Sequence, residues 1–321
     1  MSQPRTQPSP TPQDVHAAAA RLRGRVIHTP MLRNAMLDKA TGAAVLIKPE
    51  VLQRTGSFKL RGATNALLRL PEQTRARGVV AFSSGNHAQG VACAAASLGV
   101  PATIVMPADA PAIKREATAF WGARIVPYDR HTENREEIAA AIATETGASL
   151  IPPYDHPDVI AGQGTLALEL AEDALAAGLT LDRFVTPAGG GGLAAGCALA
   201  LSDVSAHTKI HTAEPAGWDD TARSLAAGER LRNDMKGSPL CDALLSPMPG
   251  ALTFSINQRL VESGFAVSDE EVQAARLFAA RALKLVVEPG GAVALAALLS
   301  GKLRAQGLVV GVVLSGGNSD L

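Results

Sequence analysis

Short β-branched runs alternate with alanine- and leucine-rich segments along the first half of the chain. VVAFSS (79–84), PATIVMP (101–107) and ARIVPYD (123–129) are apolar and bounded by glycine or proline, which predicts buried strands. HAQGVACAAASLG (87–99), APAIKREATAFWG (110–122) and NREEIAAAIATETG (134–147) follow them and predict helices. A strand–helix series of this kind implies parallel strands with helices packed on both faces. The pattern resumes with a helix at AGQGTLALELAEDALAAG (161–178), a strand at DRFVTPA (182–188), a helix at GGLAAGCALALS (191–202) and a strand at TKIHTAEP (208–215). Helices around 269–283 and at 290–300 and a last strand, LVVGVVLSG (308–316), complete the reading. The predicted class is α/β: two open, mainly parallel α/β units.

Composition narrows the function. With 321 residues, 47% hydrophobic and 19% charged, the chain can bury one large or two modest cores. Lys+Arg and Asp+Glu balance at 30 each, so there is no electrostatic case for nucleic acid or an anionic membrane. Aromatics at 3% also argue against base-stacking surfaces. Cys93, Cys197 and Cys241 are far apart and form no CxxC, which fits a reducing compartment rather than a disulfide framework or a zinc site. The N-terminal MSQPRTQPSPTPQD lacks the apolar core of a signal peptide, and residues 1–13 read as a disordered tail. Apolar runs such as GGAVALAALL are too short to span a bilayer. The expectation is a cytoplasmic protein.

Glycine-rich turns carry the candidate chemistry. In PAGGGGLAAG (187–196), Gly189, Gly190, Gly191 and Gly192 lie between a predicted strand and an apolar helix. Consecutive glycines let backbone N–H groups converge on an anion, and the helix N-terminus adds partial positive charge. Phosphate binding is the favoured reading over a flexible linker. No GK[ST] follows, so this is not a P-loop. SSGNHAQG (83–90) is a second strand-to-helix turn, where Ser83, Ser84, Gly85 and Asn86 could hold a carboxylate or ring hydroxyl; an ordinary capped turn is the alternative. His87 reads as a local hydrogen-bonding residue. SGGNSD (315–320) closes the last strand and puts Ser315 at a carboxyl edge, where α/β sheets build sites. Lys59 stands in TGSFKLRGATNAL (55–67), just where a helix begins; it is either a solvated surface lysine or one held as a Schiff base.

Taken together and in this order, SFKLRG, SSGNHAQG, GGGG and SGGN resemble the fold-type II pyridoxal-phosphate enzymes, most closely the serine/threonine dehydratase and serine racemase branch. The resemblance runs from about residue 14 to 321 and includes VIAGQGTLALEL (159–170). It implies a tryptophan synthase β-like fold with the cofactor in the cleft between the units. It divides the chain into a large unit (14–70 plus 153–321) and a small mobile unit (71–152). It implies that Lys59 carries pyridoxal 5'-phosphate, that Phe58 packs near the ring, and that Gly189–Gly192 with Leu193 hold the phosphate. Asn86 would bond the ring hydroxyl, Ser315 would face the pyridine nitrogen, and Glu288 would lie near the cofactor. The turn Ser83, Ser84, Gly85, Asn86, His87 would hold the substrate carboxylate. Ser84 would also act as an acid/base opposite the lysine, or else only orient the carboxylate.

Two further sites rest on the same resemblance. Glu214 and Asp220 in AEPAGWDD, with the Trp218 carbonyl, match a divalent site for Mg²⁺ or Ca²⁺; the alternative is a capped helix start with two solvated acids. Arg135 matches an arginine near the substrate pocket that could bind a second carboxylate. Gly290-Gly291 after Pro289 departs from the Ser or Thr-Ala of family members. The resemblance implies a homodimer acting on a small amino acid. The leading activity is dehydration and deamination of L-threonine or L-serine to a 2-oxo acid and ammonia. The alternatives are a 3-hydroxyaspartate dehydratase, a serine racemase and a lyase of ectoine-derivative catabolism. A cysteine-synthase-type replacement enzyme would carry an SVKDR-like lysine context, which is missing. A non-catalytic binding protein on the same scaffold would lack the lysine.

Overall fold

The computed structural model describes residues 8–319 apart from Ser84 and Pro111. Two sheets organise it, and every strand pairing in them is parallel. Their strands are β1 (Ala44–Pro49), β2 (Val79–Phe82), β3 (Ala102–Pro107), β4 (Arg124–Tyr128), β5 (Ser149–Leu150), β6 (Arg183–Pro187), β7 (Lys209–Pro215), β8 (Ser263–Val267) and β9 (Val309–Leu314). The larger sheet has five strands in the order β1-β9-β6-β7-β8, the smaller four in the order β4-β3-β2-β5. β1 precedes the whole smaller sheet in sequence, yet pairs along its full length with the last strand, from Ala44 opposite Val309 to Pro49 opposite Leu314. The larger sheet is therefore interrupted in sequence by the smaller.

Alternation within the strands explains why both faces are covered. In β9, Val310, Val312 and Leu314 join one apolar cluster, while Val313 joins another on the opposite face. β1 does the same with Val45 and Ile47 against Leu46. In β2, Val79 and Ala81 face one cluster and Val80 and Phe82 the other. Fully burying a side chain of this size stabilises by about 1.5–3 kcal/mol, so a one-residue slip in register would be opposed on both faces.

One helix locks the site elements together. Pro157–Ala176 packs between the helix Lys59–Arg69 and the helix Gly192–Val204. A Cβ on Gly162 would sit 2.6 Å from Gly62 Cα, and one on Gly164 would sit 2.3 Å from the Gly196 carbonyl oxygen. The glycines of VIAGQGT thus permit close backbone approach on two sides. Gln163 between them accepts a hydrogen bond from Gly62 N at 3.0 Å.

The structure adjusts several expectations. A helix, Pro12–Leu22, begins inside the stretch 1–13 read as a disordered tail. Thr11 and Asp14 form a reciprocal cap there, and Val15, Ala18 and Leu22 are buried. The helix expected at 269–283 is α-helical only over Asp269–Phe278; a π-helical turn, Ala279–Leu283, ends it at Lys284 with φ of 60°. β1, β5 and β8 were not singled out by the hydrophobic pattern. β8 reads SGFAV and β5 only SL, too short or too mixed to register as apolar runs. Among the described residues no helix is long and apolar enough to cross a membrane, and the three cysteines are free and buried.

Candidate active site

A cleft of about 190 Å³ opens where the carboxyl ends of β2, β6 and β9 come together, and Lys59 lines it. Lys59 is the first residue of its helix. Its Nζ donates to the Pro153 carbonyl at 2.7 Å and lies 5.1 Å from the Phe58 ring centroid. Burial pushes its pKa down to about 8, against the pull of the Glu288 carboxylate. The side chain remains half-buried, because the cleft admits solvent to part of it. The segment before it is tied to the SGGN turn: Ser57 bridges Gly316, and Phe58 N donates to the Ser315 carbonyl at 3.1 Å.

The glycine loop is held with its carbonyls turned away from the cleft. Gly190 O accepts from Thr253 Oγ1 at 2.7 Å and from Gly250 N at 3.2 Å. Gly191 O accepts from Asn257 Nδ2 at 3.3 Å and from Ala195 N at 2.9 Å. In a trans peptide the following N–H points opposite to the carbonyl, so tying these oxygens back frees the N–H groups of Gly191 and Gly192 for an anion. Gly191 has φ of 88°, a left-handed conformation that favours glycine. A Cβ on Gly190 would sit 2.4 Å from three atoms of the Tyr154 ring. The loop is a cradle that fits a phosphate, and Leu193 stands on the first turn of the helix behind it.

Opposite the loop, Asn86 opens the helix Asn86–Ser97. Its Nδ2 donates to Glu288 Oε1 at 2.5 Å, and its Oδ1 accepts from Asn318 Nδ2 at 2.7 Å. Asn318 also donates to the Thr55 carbonyl at 2.8 Å. Burial raises the Glu288 carboxyl to about 7, with the Asn86 hydrogen bond opposing. Gly291 lets the SGGN turn approach: a Cβ there would sit 2.3 Å from the Gly316 carbonyl oxygen. His87 Nε2 lies 2.8 Å from the Ile151 carbonyl, which can only accept, so this nitrogen carries the proton. Burial and the nearby Lys59 push its pKa down to about 3 and keep it neutral.

The predicted residues divide three ways. Phe58, Lys59, Ser83, Gly85, Asn86, His87, Arg135, Gly189–Gly192, Leu193, Glu288 and Ser315 all line the cleft. Ser84 lies outside the described residues. Glu214, Trp218 and Asp220 are not part of the cleft lining. There Glu214 is buried and caps the helix Asp220–Ala227, accepting from Thr221 N at 3.0 Å and Ala222 N at 2.8 Å. Asp220 is buried too; it accepts from Asn233 Nδ2 at 2.6 Å, while its Oδ2 has no partner among the described residues. Neither acid is solvated, against the capped-and-solvated alternative. Burial, then the neighbouring Asp220, raises Glu214 well above its ordinary range, and burial raises Asp220 to about 7. Among the described residues no group of three or more His, Cys, Asp or Glu converges on a metal position.

The sequence matches the family described as Pyridoxal-phosphate dependent enzyme over residues 22–316. The chain belongs to that family. It is 47% identical over 313 residues to an L-threo-3-hydroxyaspartate ammonia-lyase of Pseudomonas sp, covering 96% of this chain and 95% of that one. A protein of the same name from Saccharomyces cerevisiae is 45% identical over 312 residues, covering 97% of this chain and 94% of that one. Among solved structures, a serine racemase from Dictyostelium discoideum superposes with a TM-score of 0.90 at 36% identity, covering 97% of this chain and 99% of that one. A threonine deaminase superposes with a TM-score of 0.92 at 42% identity, with the same shares of the two chains covered.

The cleft also contains residues and pairings that no sequence motif marks. Tyr154 and Pro153 line it from PPYDH, a stretch with no glycine turn to mark it. Asn318 was in view within SGGN, but its bond to Asn86 spans 232 positions. Lys114 and Asp242 pair across the cleft from the two sheets' sides, and both line it. The charged helix Ala112–Phe120 and the short 3-10 turn Asp242–Leu244 carry no local sign of that pairing.

Proposed function

We propose that this chain is a pyridoxal-phosphate-dependent ammonia-lyase acting on a β-hydroxy amino acid, with L-threo-3-hydroxyaspartate as the preferred substrate. The observation that carries the reaction type is Lys59, its amine held near pKa 8 in a cleft shared with a glycine phosphate cradle. The observation that favours a dicarboxylic substrate is Arg135 on the cleft wall, its guanidinium 5.5 Å from the Phe82 ring centroid. The two ammonia-lyases of that name at 45% and 47% identity support it. L-threonine is the second reading, favoured by the superposition on a threonine deaminase; L-serine is chemically its simpler homologue.

When bound, pyridoxal phosphate supplies the electron-withdrawing ring that makes the substrate Cα–H acidic. The residues that would hold it are Lys59, Asn86, Gly189–Leu193 and Ser315, with Glu288 fixing Asn86. Lys59 takes the Cα proton, for which its lowered pKa suits it at neutral to mildly basic pH. The N–H groups and hydroxyls of Ser83–His87 hold the α-carboxylate at a helix start. Arg135 takes the distal carboxylate through paired N–H donors. His87, neutral and anchored on Ile151, contributes no charge to the site. The β-hydroxyl leaves as water, and hydrolysis restores one water, so the net products are a 2-oxo acid and ammonia. Ser315 would offer the ring nitrogen a neutral hydroxyl rather than a carboxylate, which would favour prompt loss of the β-substituent. The family resemblance gives Ser84 the role of a second acid/base beside Lys59, in which case some racemisation would accompany elimination.

Residues 71–152 move as a small unit over the cleft, with Lys114–Asp242 as a link between the sides. Glu214, Asp220 and the Trp218 carbonyl hold Mg²⁺ or Ca²⁺; the unpartnered Asp220 Oδ2 and the burial of both acids support it. The protein works as a cytoplasmic homodimer, for which the three free buried cysteines fit a reducing compartment.

The deciding experiment measures 2-oxo acid release from L-threo-3-hydroxyaspartate, L-threonine and L-serine. The highest kcat/KM on the dicarboxylate is expected. A higher value on L-threonine would move the assignment to the second reading, and release from none would sink the lyase.

A further inference from the structure

Pro153, Tyr154 and Asp155 follow one another on a single stretch of backbone, and each touches a different part of the cofactor site. The Pro153 carbonyl accepts from Lys59 Nζ at 2.7 Å. The Tyr154 ring lies where a side chain on Gly190 would project, with three ring atoms 2.4 Å from that Cβ position; Tyr154 Cβ is 2.9 Å from the corresponding position on Gly192. The Asp155 carboxylate accepts from Ala251 N, Leu252 N and Thr253 N, each at 3.0 Å, and so caps the helix Ala251–Leu260. That helix supplies Thr253 and Asn257, the side chains that tie back the Gly190 and Gly191 carbonyls. Gly190 is therefore held from two directions, by the ring in front and by the capped helix behind, and both holds start from the same tripeptide.

We propose that Tyr154 is a positioning residue: its ring sets the glycine loop in phosphate-binding shape, and its backbone neighbours hold that loop in register with the Lys59 amine. The ring, rather than the hydroxyl, does this, because the contact is between the ring atoms and Gly190. Gly190 is glycine because the ring leaves no room for a Cβ, not because of its backbone angles; Gly191 is the residue of the loop with positive φ. The inference rests on the family's cofactor and is independent of which substrate is preferred.

The test titrates apoprotein with pyridoxal phosphate and with pyridoxal, which lacks the phosphate, by absorbance. The variants are Tyr154→Phe, Tyr154→Ala, Gly190→Ala and the double Tyr154→Ala/Gly190→Ala. Tyr154→Ala is expected to raise the Kd for pyridoxal phosphate by about tenfold more than that for pyridoxal, and Tyr154→Phe to restore it. Gly190→Ala alone is expected to cost at least about tenfold, but little in the Tyr154→Ala background, where the methyl fills the vacated space. Equal losses for the two ligands in Tyr154→Ala would overturn the proposal, as would Tyr154→Phe behaving like Tyr154→Ala. So would a double variant whose loss is the product of the two single losses. Failure of wild-type apoprotein to take up pyridoxal phosphate would instead remove the cofactor reading itself.

Discussion

Lys59 and Arg61 stand two residues apart on the first turn of one helix, and burial treats them in opposite ways. Lys59 has the Pro153 carbonyl and an open cleft, and its pKa falls to about 8 because burial outweighs the help of Glu288. Arg61 is 0% exposed. It donates to both oxygens of Glu50 at 2.8 Å, to both of Glu169 at 2.6 and 2.7 Å, and to the Ile27 carbonyl at 3.1 Å. Burial works to lower its pKa as well, but Glu50 and Glu169 hold it above the ordinary value. Lys48, also fully buried, pairs with Glu169 at 2.7 Å and donates to the Thr29 carbonyl at 2.6 Å. Two cations and two anions thus close a neutral set around the second cation of SFKLRG. A buried charge with every partner supplied is fixed in place; one left short of partners is available for chemistry. Glu214 and Asp220 are the anionic counterpart of Lys59: both are buried, and burial outweighs the pull of Arg223 on Asp220.

The comparison breaks most sharply at Lys59. Lys59→Ala should lower 2-oxo acid release by at least about 10³-fold and remove the visible absorbance of bound cofactor, while the fold persists. Retained turnover would end the distinction between the two cations. Arg61→Met should do the reverse. It strands the Glu50 carboxylate in the interior, leaves Glu169 with Lys48 alone, and should cost about 3–5 kcal/mol by urea unfolding, with activity lost only as the fold is lost. A change under about 1 kcal/mol would mean that the Arg61 cluster does not hold the fold together.

Arg135→Gln sharpens what the open side of the cleft is for. It should raise KM for L-threo-3-hydroxyaspartate by about 10- to 100-fold relative to L-serine, the scale of one charge-assisted pair. An equal effect on both would take the distal carboxylate away from Arg135.

The smallest effect concerns Glu214 and Asp220. Their pKa values are raised in the folded state, Asp220 from 3.8 to about 7. Between those values the folded protein binds more protons than the unfolded, so without divalent cation stability should fall as pH rises from about 4 through 7. Mg²⁺ or Ca²⁺ bound to the deprotonated pair, as proposed, would flatten that slope and raise Tm at pH 8 by a few degrees, on the order of 2–4 °C. Asp220→Asn should abolish the metal response. A Tm unmoved by chelator or metal would leave the two acids as a protonated helix cap.

SFKLRG, SSGN, GGGG and SGGN were legible because each is a local device. Glycines and small polar residues between an apolar strand and a helix mark a turn that presents N–H groups, whatever the rest of the chain does. The strands of the smaller sheet that are long apolar runs were legible for the same local reason, and Pro12–Leu22 was obscured by the Pro-rich stretch before it. The partners of those devices were not legible. Lys59 meets Pro153 94 positions away, Asn86 meets Glu288 202 positions away, and Arg61 meets Glu169 108 positions away. SFKLRG contains two basic residues that the chain alone does not rank as catalytic and structural. Solvation and partner supply make that choice, and both depend on which distant segments the parallel sheets bring to the start of one helix.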